Sequence, residues 1–172
     1  VDKANKILDE VKQQEPDNVN AILVRAMLDY RSGKKNIAIQ AIERVINKDI
    51  TQVEGVHLLA DGYIDLLQHE KAKDLLLKAE KINPNVISLK MSLAELYSNK
   101  LNDLISGEKY LIDVVGLDVK NYKAHLNLAS FYARTGQNHK AENVLRKAID
   151  LDDRDIRRYI YYIELLTTKF GL

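Results

Sequence analysis

Four columns of residues recur along this chain at one period, and that period limits the possible folds more than any other feature. A column of small residues reads Ala4, Ala38, Ala72, Gly107 and Ala141, at steps of 34, 34, 35 and 34 residues. A second reads Ala26, Ala60, Ala94 and Ala129, and a third Val11, Val45, Ala79, Val114 and Ala148. The fourth, of large aliphatics, reads Leu8, Ile42, Leu76, Leu111 and Leu145. Every column absorbs one extra residue at the same place, the polar stretch from Ser98 to Asp103. Polar loops tolerate such insertions. A fixed period of this length marks a stacked-repeat architecture.

Within each unit the apolar spacing is helical. Val56, Leu59, Ala60, Tyr63 and Leu67 fall at i, i+3, i+4, i+7 and i+11, and Ala72, Leu75, Leu76, Ala79 and Ile82 follow the same rule. A short polar turn, Gln68-His69-Glu70, is expected between these two helices. In two other units the turn carries Gly33 or Gly136, which suits a left-handed residue closing a helix. Pro16 and Pro84 end helices, and a neighbouring Asn or Asp can cap the next one.

The pattern predicts an all-α chain of ten helices, at about 2–14, 18–32, 35–48, 52–66, 70–82, 86–99, 103–116, 121–135, 138–151 and 154–169. Repeats fall at about 19–52, 53–86, 87–121 and 122–155 in one solenoid over 1–172. They are flanked by a lone second helix (1–18) and a lone first helix (156–172). The sequence starts without Met and in mid-repeat, so a longer parent protein is expected.

Composition narrows the function. With 46% hydrophobic and 30% charged residues the chain lies outside the range of disorder. Basic and acidic side chains number 26 and 25, a net charge of +1, so bulk charge recruits neither nucleic acid nor an anionic membrane. There is no cysteine, which removes disulfides and thiolate chemistry. No apolar run approaches the roughly 18 residues of a membrane-spanning helix. None of this chooses a compartment.

The columns resemble the tetratricopeptide repeat, a 34-residue helix–turn–helix unit. The residues that carry the resemblance are Leu59, Ala60, Tyr63, Ala72, Leu76, Ala79 and Pro84 in one unit. In another they are Leu128, Ala129, Tyr132, Gly136, Ala141, Leu145 and Ala148. The 87–121 unit keeps Leu93, Ala94 and Tyr97, with Gly107 and Val114 in the alanine places. The 19–52 unit departs, with Arg25 in the leucine place and Asp29 in the tyrosine place. The asparagine- and lysine-rich, cysteine-free chain is similar to bacterial members. The resemblance implies a right-handed α-solenoid of antiparallel helix pairs whose first helices line a concave face.

Carried onto this sequence, the implied concave-face residues are Leu23, Met27 and Tyr30; His57, Asp61 and Asp65; Met91, Glu95 and Ser98; and Leu126, Ser130 and Arg134. The lysine–asparagine clamp with which better-known members hold a terminal carboxylate is absent from these places. The expected function is a protein-interaction scaffold that binds a peptide or helix of a partner protein. The alternatives are a structural spacer within a larger repeat protein, as in cell-envelope or polysaccharide export machinery, and a non-catalytic module of an enzyme complex. Cut repeats at both ends leave end-to-end self-association open.

No catalytic constellation is expected. His57, His69, His125 and His139 show no HxxxH or HExxH spacing, so neither a metal site nor a cofactor is expected, and each reads as a surface or groove residue. Asp61 and Asp65, with Glu95 one repeat on, form a carboxylate patch that reads as a solvated face. Tyr159, Tyr161 and Tyr162 with Arg154, Arg157 and Arg158 invite base stacking, but their helical spacing favours packing.

Small residues at these columns let helices approach to about 8–10 Å. Ala60→Arg or Ala141→Leu is therefore expected to lower stability by about 1–3 kcal/mol, measured by thermal or denaturant melting.

Overall fold

The computed structural model describes residues 2–151 together with Ile160 and Glu164. Among the described residues there are nine α-helices and no strand. They are α1 (Asp2–Gln14), α2 (Val19–Arg31), α3 (Lys35–Lys48), α4 (Val53–Asp65), α5 (His69–Ile82), α6 (Ile87–Asn99), α7 (Leu104–Leu117), α8 (Tyr122–Arg134) and α9 (Asn138–Leu151). The tenth helix expected at 154–169, with its tyrosines and arginines, lies outside the described residues. Several helices begin one residue later than the periodicity suggests because the first residue is a cap. Asn18, Asp103 and Asn121 stand outside their helices and accept from the backbone N–H of Ala21, Ser106 and Ala124 at 2.9, 3.0 and 3.1 Å.

The helix-to-helix turns repeat as faithfully as the columns. Gly33 (φ 88°), Leu67 (φ 59°), Asn102 (φ 53°) and Gly136 (φ 77°) all occupy the left-handed region. Around three of them one long bond closes the helix: Lys34 N–H to the Asp29 carbonyl, Gln68 to Tyr63 and Gln137 to Tyr132, at 2.8–2.9 Å. At the third turn the bond runs one residue further, from Asp103 N–H to Tyr97 at 2.8 Å. The extra residue of the sequence is thus taken up between the end of α6 and Asn102. The second turn sits earlier than the expected Gln68-His69-Glu70, because Leu67 takes the glycine place and His69 opens α5.

The chain packs as two compact units, Val1–Leu89 and Lys90–Leu172. In the first unit, α2 pairs with α3 and α4 with α5, while α1 rests chiefly on α2 and α3 on α4. Its core holds Ala38, Ile42, Val56, Ala60, Ala72 and Leu76, each no more than 2% exposed. In the second unit, α8 pairs with α9 and α7 packs on α8. Its core gathers Ala94, Leu111, Leu128, Ala129, Phe131, Tyr132, Ala141 and Leu145. Every member of the four sequence columns from Ala26 onward is buried. Gly107 marks the tightest approach. A Cβ added there would lie 2.0 Å from Ser98 Oγ and 3.3 Å from the Ala94 carbonyl, so α6 and α7 meet where even alanine would force a shift.

Tyrosines of two first helices tie their repeats to the preceding second helix. Tyr63 Oη donates to Glu43 at 2.7 Å and Tyr132 Oη to Glu108 at 2.8 Å. A lysine lies over each ring, Lys71 at 5.7 Å and Lys140 at 5.0 Å. Burial, then the carboxylate partner, pushes both phenols up to about 12. The bond to Tyr132, aided by Lys140, holds Glu108 below its ordinary value.

Two outcomes are expected. Leu67→Gly should raise stability by about 0.5–1 kcal/mol in denaturant melts, because a side chain in the left-handed region is strained. Titrated with base, Tyr63 and Tyr132 should form tyrosinate late. Their folded pKa lies above the ordinary value of 10.0, so the stability they supply is intact below pH 10 and lost as pH climbs through about 12. Tyrosinate absorbance of wild type against Tyr63→Phe and Tyr132→Phe reads this directly.

Candidate functional site

In the first unit the structure brings two of the expected groove residues together at the ends of α2 and α4. Tyr30 Oη donates to Asp65 in a short bond, and Lys35 Nζ stands 3.3 Å from the same carboxylate and 5.1 Å from the Tyr30 ring centre. Gly62 on α4 makes room: an added Cβ would lie 3.9 Å from the Tyr30 ring. Burial, followed by Asp65 and Asp61, pushes the Tyr30 phenol up to about 12. Lys35 was not anticipated. It opens α3, and its proximity to Asp65 depends on packing 30 residues apart.

His57 lies within 3.1 Å of Ser88 Oγ through Nε2. Burial pulls its pKa down against the opposing pull of Asp61 and Glu54. Asp61 is exposed and Met27 half-buried. Leu23 does not line a groove. It is 6% exposed and packs where Gly55 of α4 leaves space, 3.4 Å from the position a Cβ would take.

The second unit gathers more. Met91, Glu95 and Ser98 of α6 and Ser130 and Arg134 of α8 line one cleft of about 180 Å³, joined by Ala94, Asn99, Leu111, Asn127 and Phe131. The spacing explains the gathering: 91, 95, 98 and 127, 130, 134 are both helical stripes. Leu126, expected here, belongs instead to the core at 8% exposure. Asn127 takes its place, one residue further round α8, and donates weakly to the Met91 sulfur at 3.8 Å. A stripe drawn at i, i+3, i+7 back from Arg134 would have found it in the sequence. A stripe drawn at i, i+4 finds Leu126.

The cleft is apolar at its base and polar at its rim. Glu95 and Arg134 are exposed and bring opposite charges to it, and no ion pair joins them among the described residues. Ser98 Oγ is buried without a hydrogen-bond partner. It fills the space that the missing Cβ of Gly107 leaves, so this hydroxyl packs against α7.

The remaining histidines lie apart from both sites. His125 is buried at 4% with Nδ1 3.0 Å from the Asn121 carbonyl, so it is a packed residue and not the surface or groove residue expected. Among the described residues no three His, Asp or Glu side chains converge as a metal site, and no helix is long and apolar enough to cross a membrane.

Comparison with known proteins agrees with this architecture. Residues 122–155 match the family model described as tetratricopeptide repeat. No curated protein sequence matches the chain. Among solved structures, a thermophilic TPR protein of Thermus thermophilus is 19% identical, with 94% of this chain and 88% of that one covered at a TM-score of 0.71. MamA from Desulfovibrio magneticus is 16% identical over 87% of this chain and 85% of that one, at 0.67. YrrB, described as a TPR protein with an unusual peptide-binding site, is 15% identical over 95% and 84%, at 0.61. At these identities the likeness speaks for the fold. The chain has the all-α solenoid fold of tetratricopeptide-repeat proteins, and its residues 122–155 match the model of that repeat.

Proposed function

We propose that this chain is a non-catalytic scaffold that binds an extended segment of a partner protein, and that the cleft between α6 and α8 is a principal contact. The observation that carries this reading is the convergence of Met91, Glu95, Ser98, Asn127, Ser130 and Arg134 on one concavity. An extended peptide presents an N–H and a C=O at every residue. Asn127 can answer both through its amide, and its present partner is a thioether, a weak acceptor easily given up. Met91 and Phe131 offer adaptable apolar contact to a side chain. Glu95 and Arg134 would select a segment with charges of both signs. The likeness to YrrB, a TPR protein with an unusual peptide-binding site, supports the same class of ligand. In the first unit, Met27, Tyr30, Asp61 and Asp65 would offer an acidic surface of their own, with His57 beside it.

Panning a phage-displayed random peptide library on the chain tests this. Enriched peptides are expected to lose at least about tenfold in affinity on Ser130→Arg, which fills the cleft, and about 1–3 kcal/mol on Asn127→Ala. Met27→Ala combined with Met91→Ala should weaken capture as well. Peptides that bind the Ser130→Arg chain as tightly as wild type would remove the cleft from consideration.

A further inference from the structure

A second concavity, of about 360 Å³, lies between α1, α2 and α3 and shares no residue with the expected groove. Its position in the repeat is the informative part. One and three repeats later, the chain's own Tyr63 and Tyr132 stand on the first helix with their hydroxyls on a carboxylate of the preceding second helix. In the first repeat that tyrosine is Asp29 and the adjoining leucine is Arg25, yet the carboxylate that serves Tyr63 survives: Asp9 is 34 residues before Glu43, while Glu108 serves Tyr132 from another place on its helix. The lysine that covers the ring elsewhere, Lys71 or Lys140, is here Ile37, and it is 59% exposed. The recess therefore keeps an acceptor for a phenol and lacks the phenol.

We propose that this recess receives a tyrosine side chain of a partner protein. Leu8, Pro16, Ile22 and Ala26 give it apolar walls for a ring. Asp9 and Asp29 offer carboxylates to the hydroxyl. Arg25 is ion-paired with each of them at 3.5 Å, and the flat face of its guanidinium can still stack on an aromatic ring. Lys34 lies 3.8 Å from Asp29 and Glu15 accepts from Asn18 at 2.7 Å; three carboxylates thus face two cations, and the recess suits a hydrogen-bond donor and not an anion. An aliphatic side chain would fill the walls and leave the carboxylates without a donor. The next repeat has an equivalent recess of about 440 Å³, but Tyr63 already forms part of its wall and occupies Glu43.

The test uses the whole chain and N-acetyl-tyrosinamide as probe, with N-acetyl-phenylalaninamide beside it, followed by NMR shift mapping. The tyrosine probe should shift Asp9, Arg25 and Asp29 and bind roughly five- to tenfold more tightly than the phenylalanine probe. Asp29→Tyr should supply the ring from within, abolish probe binding and raise the melting temperature. Asp9→Asn, at an exposed position, should leave folding intact and reduce the preference for tyrosine. Equal affinity for the two probes, shifts centred on Glu43 and Tyr63, or binding that survives Asp29→Tyr would each overturn the proposal.

Discussion

Close approach of helices through columns of small side chains is the constraint on which the structure rests. Where Ala38, Ala72 and Ala141 stand, each fully buried, a larger residue would push neighbouring helices apart. Ile42, Leu76 and Leu145 then fill the grooves that the approach creates. Gly107 takes this to its limit, since the space its missing Cβ leaves is occupied by Ser98. One geometric demand therefore sets the period of the sequence and the spacing of the helices together.

The turns and the tyrosine bonds depend on that spacing. A left-handed residue at each turn within a helix pair reverses the chain in three or four residues, short enough to hold paired helices at contact distance. Once α3 and α4, or α7 and α8, are in register, a tyrosine on the later helix reaches a carboxylate on the earlier one. Such bonds are individually worth little more than about 1–3 kcal/mol, but they select one register over its neighbours. The first repeat keeps the helical frame while exchanging this bond for the Asp9–Arg25–Asp29 cluster. Packing by small residues is thus the general requirement, and the polar tie is a local choice.

The cleft of the second unit shows how a repeat scaffold acquires individuality. Positions 91, 95 and 98 face 127, 130 and 134 because α6 and α8 are first helices of successive repeats. Their packing columns leave those faces uncommitted, so the residues there are under no demand from the core. Charge, amide and thioether groups accumulate in one place without disturbing the stack. The first unit uses the same faces differently, closing Tyr30, Lys35 and Asp65 on one another.

The helices, their pairing and the buried columns were legible in the sequence, because a 34-residue period and a 3.6-residue period are both written in apolar side chains that cannot be placed elsewhere without loss. The tertiary structure decided the finer matters. Leu23 and Leu126 lie in the core and Asn127 in the cleft, since one residue along a helix is a rotation of about 100°, and neighbouring helices determine which side is covered. Leu67 in a glycine's place and the meeting of Lys35 with Asp65 are likewise products of packing. Sequence periodicity specifies which face of a helix is buried. Only the neighbouring helices fix where that face ends, and residues at that edge line the cleft.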